Sequence, residues 1–382
     1  MMHLMSNLLR DLCSVFTAPF VERHVVAFVE RFVQQRPRLG LSRDEAGNLL
    51  IELRSNSTLP RIVFAAHMDH PGLVAQDMID AHTLAARFHG GVLIDYVRGS
   101  VVRFLDDQGE VTGTVTDCTP EDSDRPAYPG RVTVRVARRV APGSPGMFDV
   151  GEGRFEISPA DARRTTFHSR VCDNLAGAAA ALEMLDTLLN SSTAPQSPVA
   201  VLLTRGEEEG FIGAIAAVLK PMLLRDTDRL VVIECSAAQS YAPQGAGCVV
   251  RIGDRTSVFN SSLSYFLTQQ ADDLSKRDSS FKYQRALMPG GTCEATVYDA
   301  FGYTTGSICV PLGNYHNMDT TTKKIAAEFI DMNDWQSMVK LFVSVSLNGH
   351  LFSSDNVLLK EKLTKRYKMF QKFLTNLNDE NP

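Results

Sequence analysis

The sequence holds no Cys-x-x-Cys pair, no run of eighteen apolar residues, no long run of one charge sign, no internal repeat and no low-complexity tract. Each absence closes off a class of protein. Seven cysteines, at 13, 118, 172, 235, 248, 293 and 309, make an odd number without paired spacing. They fit neither a disulfide framework nor a thiolate zinc knuckle, and they imply a reducing compartment. Met1 to Arg10 lacks an apolar core followed by a small-residue cleavage site, so with no spanning segment a soluble, cytoplasmic protein is expected. The 39 basic and 44 acidic residues leave a net charge of −5 that is concentrated nowhere, which sets aside nucleic acid and membrane as partners and leaves small molecules or peptides.

What is present is a chain of 382 residues, 44% hydrophobic, long enough for a main domain plus a smaller one. Residues 21 to 33 place apolar groups at 21, 25, 28, 29, 32 and 33, the stripe of an amphipathic helix. A strand is expected at Gly47 to Leu53. Short apolar runs at Ile62 to Ala66, Val199 to Thr204, Leu230 to Ile233 and Ser307 to Val310 suit central strands buried on both faces. Leu175 to Leu189, Ala-rich and apolar nearly all round, suits a buried helix. Residues 75 to 165 differ in texture. Val101 to Leu105 and Val111 to Val115 flank Asp-Asp-Gln-Gly-Glu as a hairpin would, and Val132, Val134 and Val136 alternate with Arg131, Thr133 and Arg135. The fold class is therefore α/β, a central sheet flanked by helices, interrupted by a small β domain. Lys323 to Lys372 reads as two or three amphipathic helices before a loose polar tail.

Five segments carry polar residues that buried strands have no use for: Ala66-His67-Met68-Asp69, Val171-Cys172-Asp173-Asn174, Gly206-Glu207-Glu208-Glu209-Gly210, Ile233-Glu234-Cys235 and Asn314-Tyr315-His316-Asn317. Four of them follow expected strands, where open α/β sheets place their sites, and the second opens the buried helix. Singly each has a plain reading, such as a helix cap for Asp173 or a solvated turn for the glutamates. Jointly they bring two histidines and several carboxylates to one sheet edge with no lysine or arginine cluster beside them. That is the mixed nitrogen and oxygen donor set of catalytic zinc, and a divalent cation is the simplest neutralising charge.

These segments resemble those of the co-catalytic zinc aminopeptidases, most closely the tetrahedral and glutamyl aminopeptidase family, with kinship to the bacterial leucyl aminopeptidases, over residues 8 to 320 in segment order. Ala-His-Met-Asp-His-Pro-Gly resembles the family's His-x-Asp segment, which implies His67 as a metal ligand and Asp69 as its orienting partner. Asp173-Asn174-Leu175-Ala176-Gly177 is similar to the segment whose first aspartate bridges both metals. Gly206-Glu207-Glu208 through Ala214 is similar to Glu-Glu-x-Gly-x-x-Gly-Ala, which implies Glu207 as general base and Glu208 as ligand and leaves Glu209 a variable turn position. Glu234 stands where the family carries an acidic ligand. Gly290-Gly291-Thr292-Cys293-Glu294-Ala295 followed by Pro311 to His316 is similar to the element that supplies the last histidine. Departures are Asn174 and Leu175, Cys293-Glu294 for Asp-Ala, and an early Gly-x-Ser-Gly-x-Glu that survives only loosely at Phe16 to Glu22.

The resemblance implies a zinc-peptidase-like α/β/α sandwich at 1–74 and 166–382, with a barrel-like insertion at 75–165 for dimer contacts and access to the site. It implies two divalent ions, zinc first, with cobalt or manganese also suited to the ligands: one on His67, Asp173 and Glu234, the other on Asp173, Glu208 and His316. The implied reaction is hydrolysis of the N-terminal peptide bond by a metal-bound water, with Glu207 as base, in a homo-oligomer built from dimers. His89-Gly90-Gly91 matches a family Gly-Gly turn, its histidine read as structural. Rivals are a carboxypeptidase or deacylase on the same metals, which needs an arginine that no motif identifies. A glycoside hydrolase is a second, whose paired carboxyls adjacent glutamates serve poorly. An inactive metal-binding scaffold is a third, against which the non-ligand Glu207 argues.

Overall fold

Short apolar runs without polar alternation suit strands of a sheet covered on both faces. In the computed structural model, which describes residues 2–120, 125–158, 161–162, 164–354 and 357–375, every residue of Ile62–His67 and of Val199–Thr204 is buried. These two strands run parallel to each other, and Arg229–Ala237 and Thr304–Gly313 continue the parallel set. Among the described residues they form the middle of an eleven-stranded mixed sheet. Antiparallel Leu49–Leu53 and Leu39–Arg43 close one edge, and Glu328–Asp331, Thr165–Ser169 and Arg154–Ile157 extend the other.

Helices cover both faces. Leu175–Leu189 lies in the larger core with Arg23–Gln34 and Met332–Asn348, while Ile212–Leu219 and Glu294–Ala300 pack into a second apolar cluster. The first turn of Leu175–Leu189 needs Gly177, because a Cβ there would stand 2.7 Å from Ile233 Cγ2 and 2.1 Å from Asn174 Oδ1. A glycine thus lets the helix start directly behind the strand that carries Glu234.

The insertion is a closed barrel, with strands in the order Gly72–Met78, Thr83–His89, Pro129–Val136, Gly109–Pro120, Val101–Asp106 and Pro145–Phe148. The expected hairpin is there, with Asp106 opposite Gly109. Alternation is plain in Thr83–His89, where Leu84, Ala86 and Phe88 enter a core separate from that of the sheet. Among the described residues, closure pairs each barrel strand on both sides.

One stretch departs from expectation. Lys323 to Lys372 begins with strand pairing, Met318–Asp319 against Lys324–Ile325, and then gives the sheet strand Glu328–Asp331 before the helices Met332–Asn348 and Val357–Thr375. Four residues are too few to show a period, and Asp331 reads equally as the cap it also is, accepting from the Asn333 amide at 2.8 Å. The tail expected to be loose lies outside the described residues. Among the described residues no helix is long and apolar enough to cross a membrane.

Candidate active site

The parallel strands deliver their side chains to one end of the sheet. His67 is the last residue of Ile62–His67, Glu207 and Glu208 form the turn after Val199–Thr204, Glu234 lies within Arg229–Ala237, and His316 follows Thr304–Gly313. Asp173 sits before Leu175–Leu189, at the end of the segment that leaves Thr165–Ser169. Buried donor atoms from His67, Asp173 and Glu234 lie within 4.8 Å of one another, as do those from Asp173, Glu208 and His316. Asp173 joins both sets, with Oδ1 3.5 Å from His67 Nε2 and Oδ2 3.8 Å from His316 Nε2. Glu208 Oε2 is 3.3 Å from His316 Nε2, and Glu207 Oε2 is 3.9 Å from His67 Nε2.

Each histidine has its tautomer set by a backbone carbonyl. The Nδ1 of His67 donates to the Asp69 carbonyl at 3.1 Å and that of His316 to the Gly91 carbonyl at 2.9 Å, so both Nε2 atoms face the carboxylates bare of a proton when the rings are neutral. The carboxylate of Asp69 is engaged elsewhere: its two oxygens accept the Glu207 and Glu208 amides, each at 3.0 Å, while Oδ1 stands 3.7 Å from His67 Nδ1. Asp69 therefore fixes the glutamate turn. The other side of that turn is held by buried Glu22, which accepts from the Gly206 amide at 3.1 Å and from Arg205 Nε at 2.7 Å. The loosely matching segment at Phe16 to Glu22 thus ends on a residue that touches the site's support.

Glu209 is more than a turn position. Its Oε1 accepts the Gly90 amide at 2.8 Å and lies 3.1 Å from His89 Nδ1. The His89-Gly90-Gly91 turn of the barrel thereby touches the glutamate turn through Glu209 and His316 through Gly91.

Charge in this cluster is out of balance. Burial raises the Glu207 carboxyl well above its ordinary range, with Glu234, Glu208 and Glu294 adding to the rise against the opposing pull of His67. Burial pushes Glu234 up to about 8 and Glu294 up to about 7. Burial alone would lower His316, yet Glu208 and Asp173 raise it to about 9, and Glu207, Asp173 and Asp69 likewise carry His67 upward against burial. Carboxylates crowded in a dry site thus retain protons. Asp173 Oδ1, Glu208 Oε1, Glu234 Oε1 and His316 Nε2 are buried without a hydrogen-bond partner. Orphaned oxygens and a bare imidazole nitrogen, two sets sharing one carboxylate, fit two divalent cations.

A pocket of about 110 Å³ opens beside the cluster, lined by His67, Asp173, Glu207, Glu234 and Tyr315, and by Gly290 to Cys293. It also contains Arg251, which the sequence did not single out. Arg251 is 3% exposed, its Nε has no hydrogen-bond partner, and among the described residues it makes no salt bridge. Its signal was hidden because a lone arginine after the apolar run Cys248-Val249-Val250 looks like the polar end of a strand.

Sheet, barrel and paired donor sets define a dinuclear metallo-hydrolase. The family model of the M42 glutamyl aminopeptidases matches residues 47–126 and 140–341, and the chain belongs to that family. It is accordingly a metal-dependent exopeptidase, a dinuclear metallo-aminopeptidase. Among solved structures, the TET aminopeptidase of the marine sediment archaeon Thaumarchaeota archaeon SCGC AB-539-E09 is 18% identical, with a TM-score of 0.73 over 91% of this chain and 99% of that one. The Pyrococcus horikoshii TET1 peptidase, described as assembling into a tetrahedron or a large octahedral shell, is 20% identical at TM-score 0.71 over 90% and 99%. Aminopeptidase APDkam598 of the archaeon Desulfurococcus kamchatkensis is 20% identical at TM-score 0.73 over 90% and 94%. At these identities the likeness is one of fold. No curated protein matches the chain.

Proposed function

We propose that Glu207 is the general base of N-terminal peptide hydrolysis, that His67, Asp173 and Glu234 hold one metal, and that Asp173, Glu208 and His316 hold the other, zinc being the first expectation. The observation that carries this reading is the pair of donor sets sharing Asp173, with Glu207 beside them. Divalent ions in these donors supply Lewis acidity at the scissile carbonyl and a water whose pKa falls to about 7. Asp69 accepts the Glu207 and Glu208 amides and so fixes the backbone from which the base projects. Burial makes Glu207 a strong enough base to take a proton from water and an acceptable acid to return it to the leaving amine.

Arg251 supports a finer proposal, a preference for an acidic first residue whose side-chain carboxylate it pairs with. Burial of the guanidinium is opposed by Cys293, Cys309, Glu234 and Asp254 nearby, none of which pairs with it directly among the described residues, and a substrate carboxylate in the pocket would supply that direct pair. Two peptide series test this preference. The aminopeptidase loses activity when the substrate is N-acetylated and keeps it when the C-terminus is amidated, with Glu- and Asp-anilides preferred over Leu- and Lys-anilides; equal rates on all four anilides overturn the role of Arg251.

The insertion, expected at 75–165, would serve dimer contacts and access to the site, with the barrel strands themselves running from Gly72 to Phe148 and Arg154–Ile157 belonging to the main sheet. The assemblies described for the relatives make an oligomer of dimers the expectation here. A cytoplasmic location fits seven buried free cysteines.

A further inference from the structure

Both loops that carry the second ligand set end against one side chain. Glu328 is fully buried in the short strand Glu328–Asp331, which lies between Thr304–Gly313 and Thr165–Ser169 in the sheet. The first neighbour runs into His316 and the second into Asp173, and Glu328 pairs in register with Ser169, the last residue of its strand. Its Oε2 accepts the Cys172 amide at 2.7 Å and the Asp173 amide at 3.0 Å. Its Oε1 accepts the His316 amide at 2.8 Å. One rigid carboxylate therefore sets the distance between the bridging aspartate and the terminal histidine.

The need for such a tie is written in the backbone. Asn314, His316 and Asn317 have φ of 52°, 55° and 60°, left-handed conformations that asparagine tolerates and that histidine keeps where its surroundings hold it. A second cross-tie runs parallel to the first. Asn317 Nδ2 donates to the Arg170 and Ala326 carbonyls, each at 3.1 Å, which turns its Oδ1 to His70 Nε2 at 3.0 Å. His70 Nδ1 in turn meets the Asp173 carbonyl at 2.6 Å. Glu328 and the His70–Asn317 pair thus brace the same two loops from two sides. Burial raises the Glu328 carboxyl, and neighbouring His70 and the Cys172 and Asp173 amides oppose that rise, so the three amides and the histidine together offset its burial.

We infer that Glu328 is a positioning residue that sets the affinity of the second metal site, Asp173–Glu208–His316, and only weakly that of the first. The inference rests on the two-metal reading above. In Glu328→Gln the amide turns its oxygen toward Cys172 and Asp173, two donors, and presents NH₂ to the His316 amide, so the His316 loop is the part released.

The test is metal titration of the full-length, metal-free protein with Zn²⁺ by calorimetry, repeated with Co²⁺ and followed by its visible absorption. Wild type takes two ions. In Glu328→Gln the first binds within about threefold of wild type, while the second weakens by the 10- to 100-fold that loss of a ligand's support commonly brings, and the second increment of the Co²⁺ spectrum shifts. Glu328→Asp keeps the charge but is too short to reach both loops, and it shows the same selective loss; it decides the matter should the glutamine variant not fold. Wild-type affinity at both sites, or parallel weakening of both, overturns the role of Glu328 alone. A wild type that takes fewer than two ions overturns the two-metal reading and this inference with it.

Discussion

At the scale of single residues, the proposed ligands and the proposed base differ in what they leave unpaired. Asp173, Glu208 and Glu234 each have an orphaned buried oxygen and His316 an orphaned buried nitrogen, whereas Glu207 has none, although with His67 and Glu208 it forms a third cluster of donors. Glu207→Gln removes the proton acceptor and leaves both sets intact. The expected outcome is a fall in kcat of about 10²- to 10⁴-fold with unchanged metal content, checked by steady-state kinetics beside elemental analysis. Arg251→Met should lower kcat/KM for Glu-anilide by about tenfold or more and leave Leu-anilide nearly untouched, the pattern of a lost charge-assisted contact. Protons and metal also compete for the same atoms. His316, raised to about 9, and Glu234, raised to about 8, must both deprotonate to bind. Metal affinity of the metal-free protein should therefore rise with pH until about 9, by about tenfold per unit for each proton displaced, as titrations at pH 6, 7, 8 and 9 will show.

At the scale of elements, the site is held by turns that tie one element to another. The His89-Gly90-Gly91 turn is anchored by Glu209 and in turn holds His316 Nδ1. Glu209→Ala should loosen that turn, lowering kcat/KM several-fold while the melting temperature changes little, since Glu209 is half-buried at the rim. Trp335 tests the layer behind the sheet. It is fully buried on Met332–Asn348 and donates its indole N–H to the Ala176 carbonyl at 2.9 Å. Trp335→Ala should cost about 3–5 kcal/mol by opening a cavity, measured from denaturant midpoints. Legibility follows the same line between elements and ties. Val199–Thr204, Leu175–Leu189 and the barrel hairpin could be read in sequence because burial on both faces, or alternation between faces, leaves a period. The segments bearing His67, Asp173, Glu207, Glu208, Glu234 and His316 could be read because polar groups interrupt those periods. Glu328 and the amide contacts of Asp69 could not, because their partners are backbone groups that every residue carries, nor could His70, which joins a backbone carbonyl to the distant Asn317 side chain. Arg251 could not because a single polar residue in an apolar strand does not tell whether it meets a pocket or solvent.

At the scale of the whole molecule, the same surplus of buried acid couples folding to metal. Glu234 and Glu294, at about 8 and about 7 against an ordinary 4.5, hold protons in the folded chain that the unfolded chain releases. The folded state therefore binds more protons above pH 4.5, and its stability falls as pH rises through 7 and 8. His316, raised from 6.5 to about 9, acts in the same direction between those values. Asp69, held low by His67 and the turn amides against its burial, stays ionised throughout and contributes no slope. Metal-free protein should accordingly melt at a lower temperature at pH 9 than at pH 6. Divalent ions replace the protons as the neutralising charge, so with saturating Zn²⁺ the slope should flatten or reverse, and the gain in melting temperature on adding metal should grow from pH 6 to pH 9. The Val357–Thr375 helix stands outside this coupling: every side chain from Lys360 to Leu374 is exposed, and the helix lies beyond the family match that ends at 341. Removing it by a stop after Ser354 should leave both melting curves and the metal response unchanged. Differential scanning calorimetry on the four preparations, full-length and shortened, with and without Zn²⁺, would separate these contributions; a metal-free protein whose stability rises between pH 6 and 9 would show that the buried carboxylates are not the charge the metals neutralise.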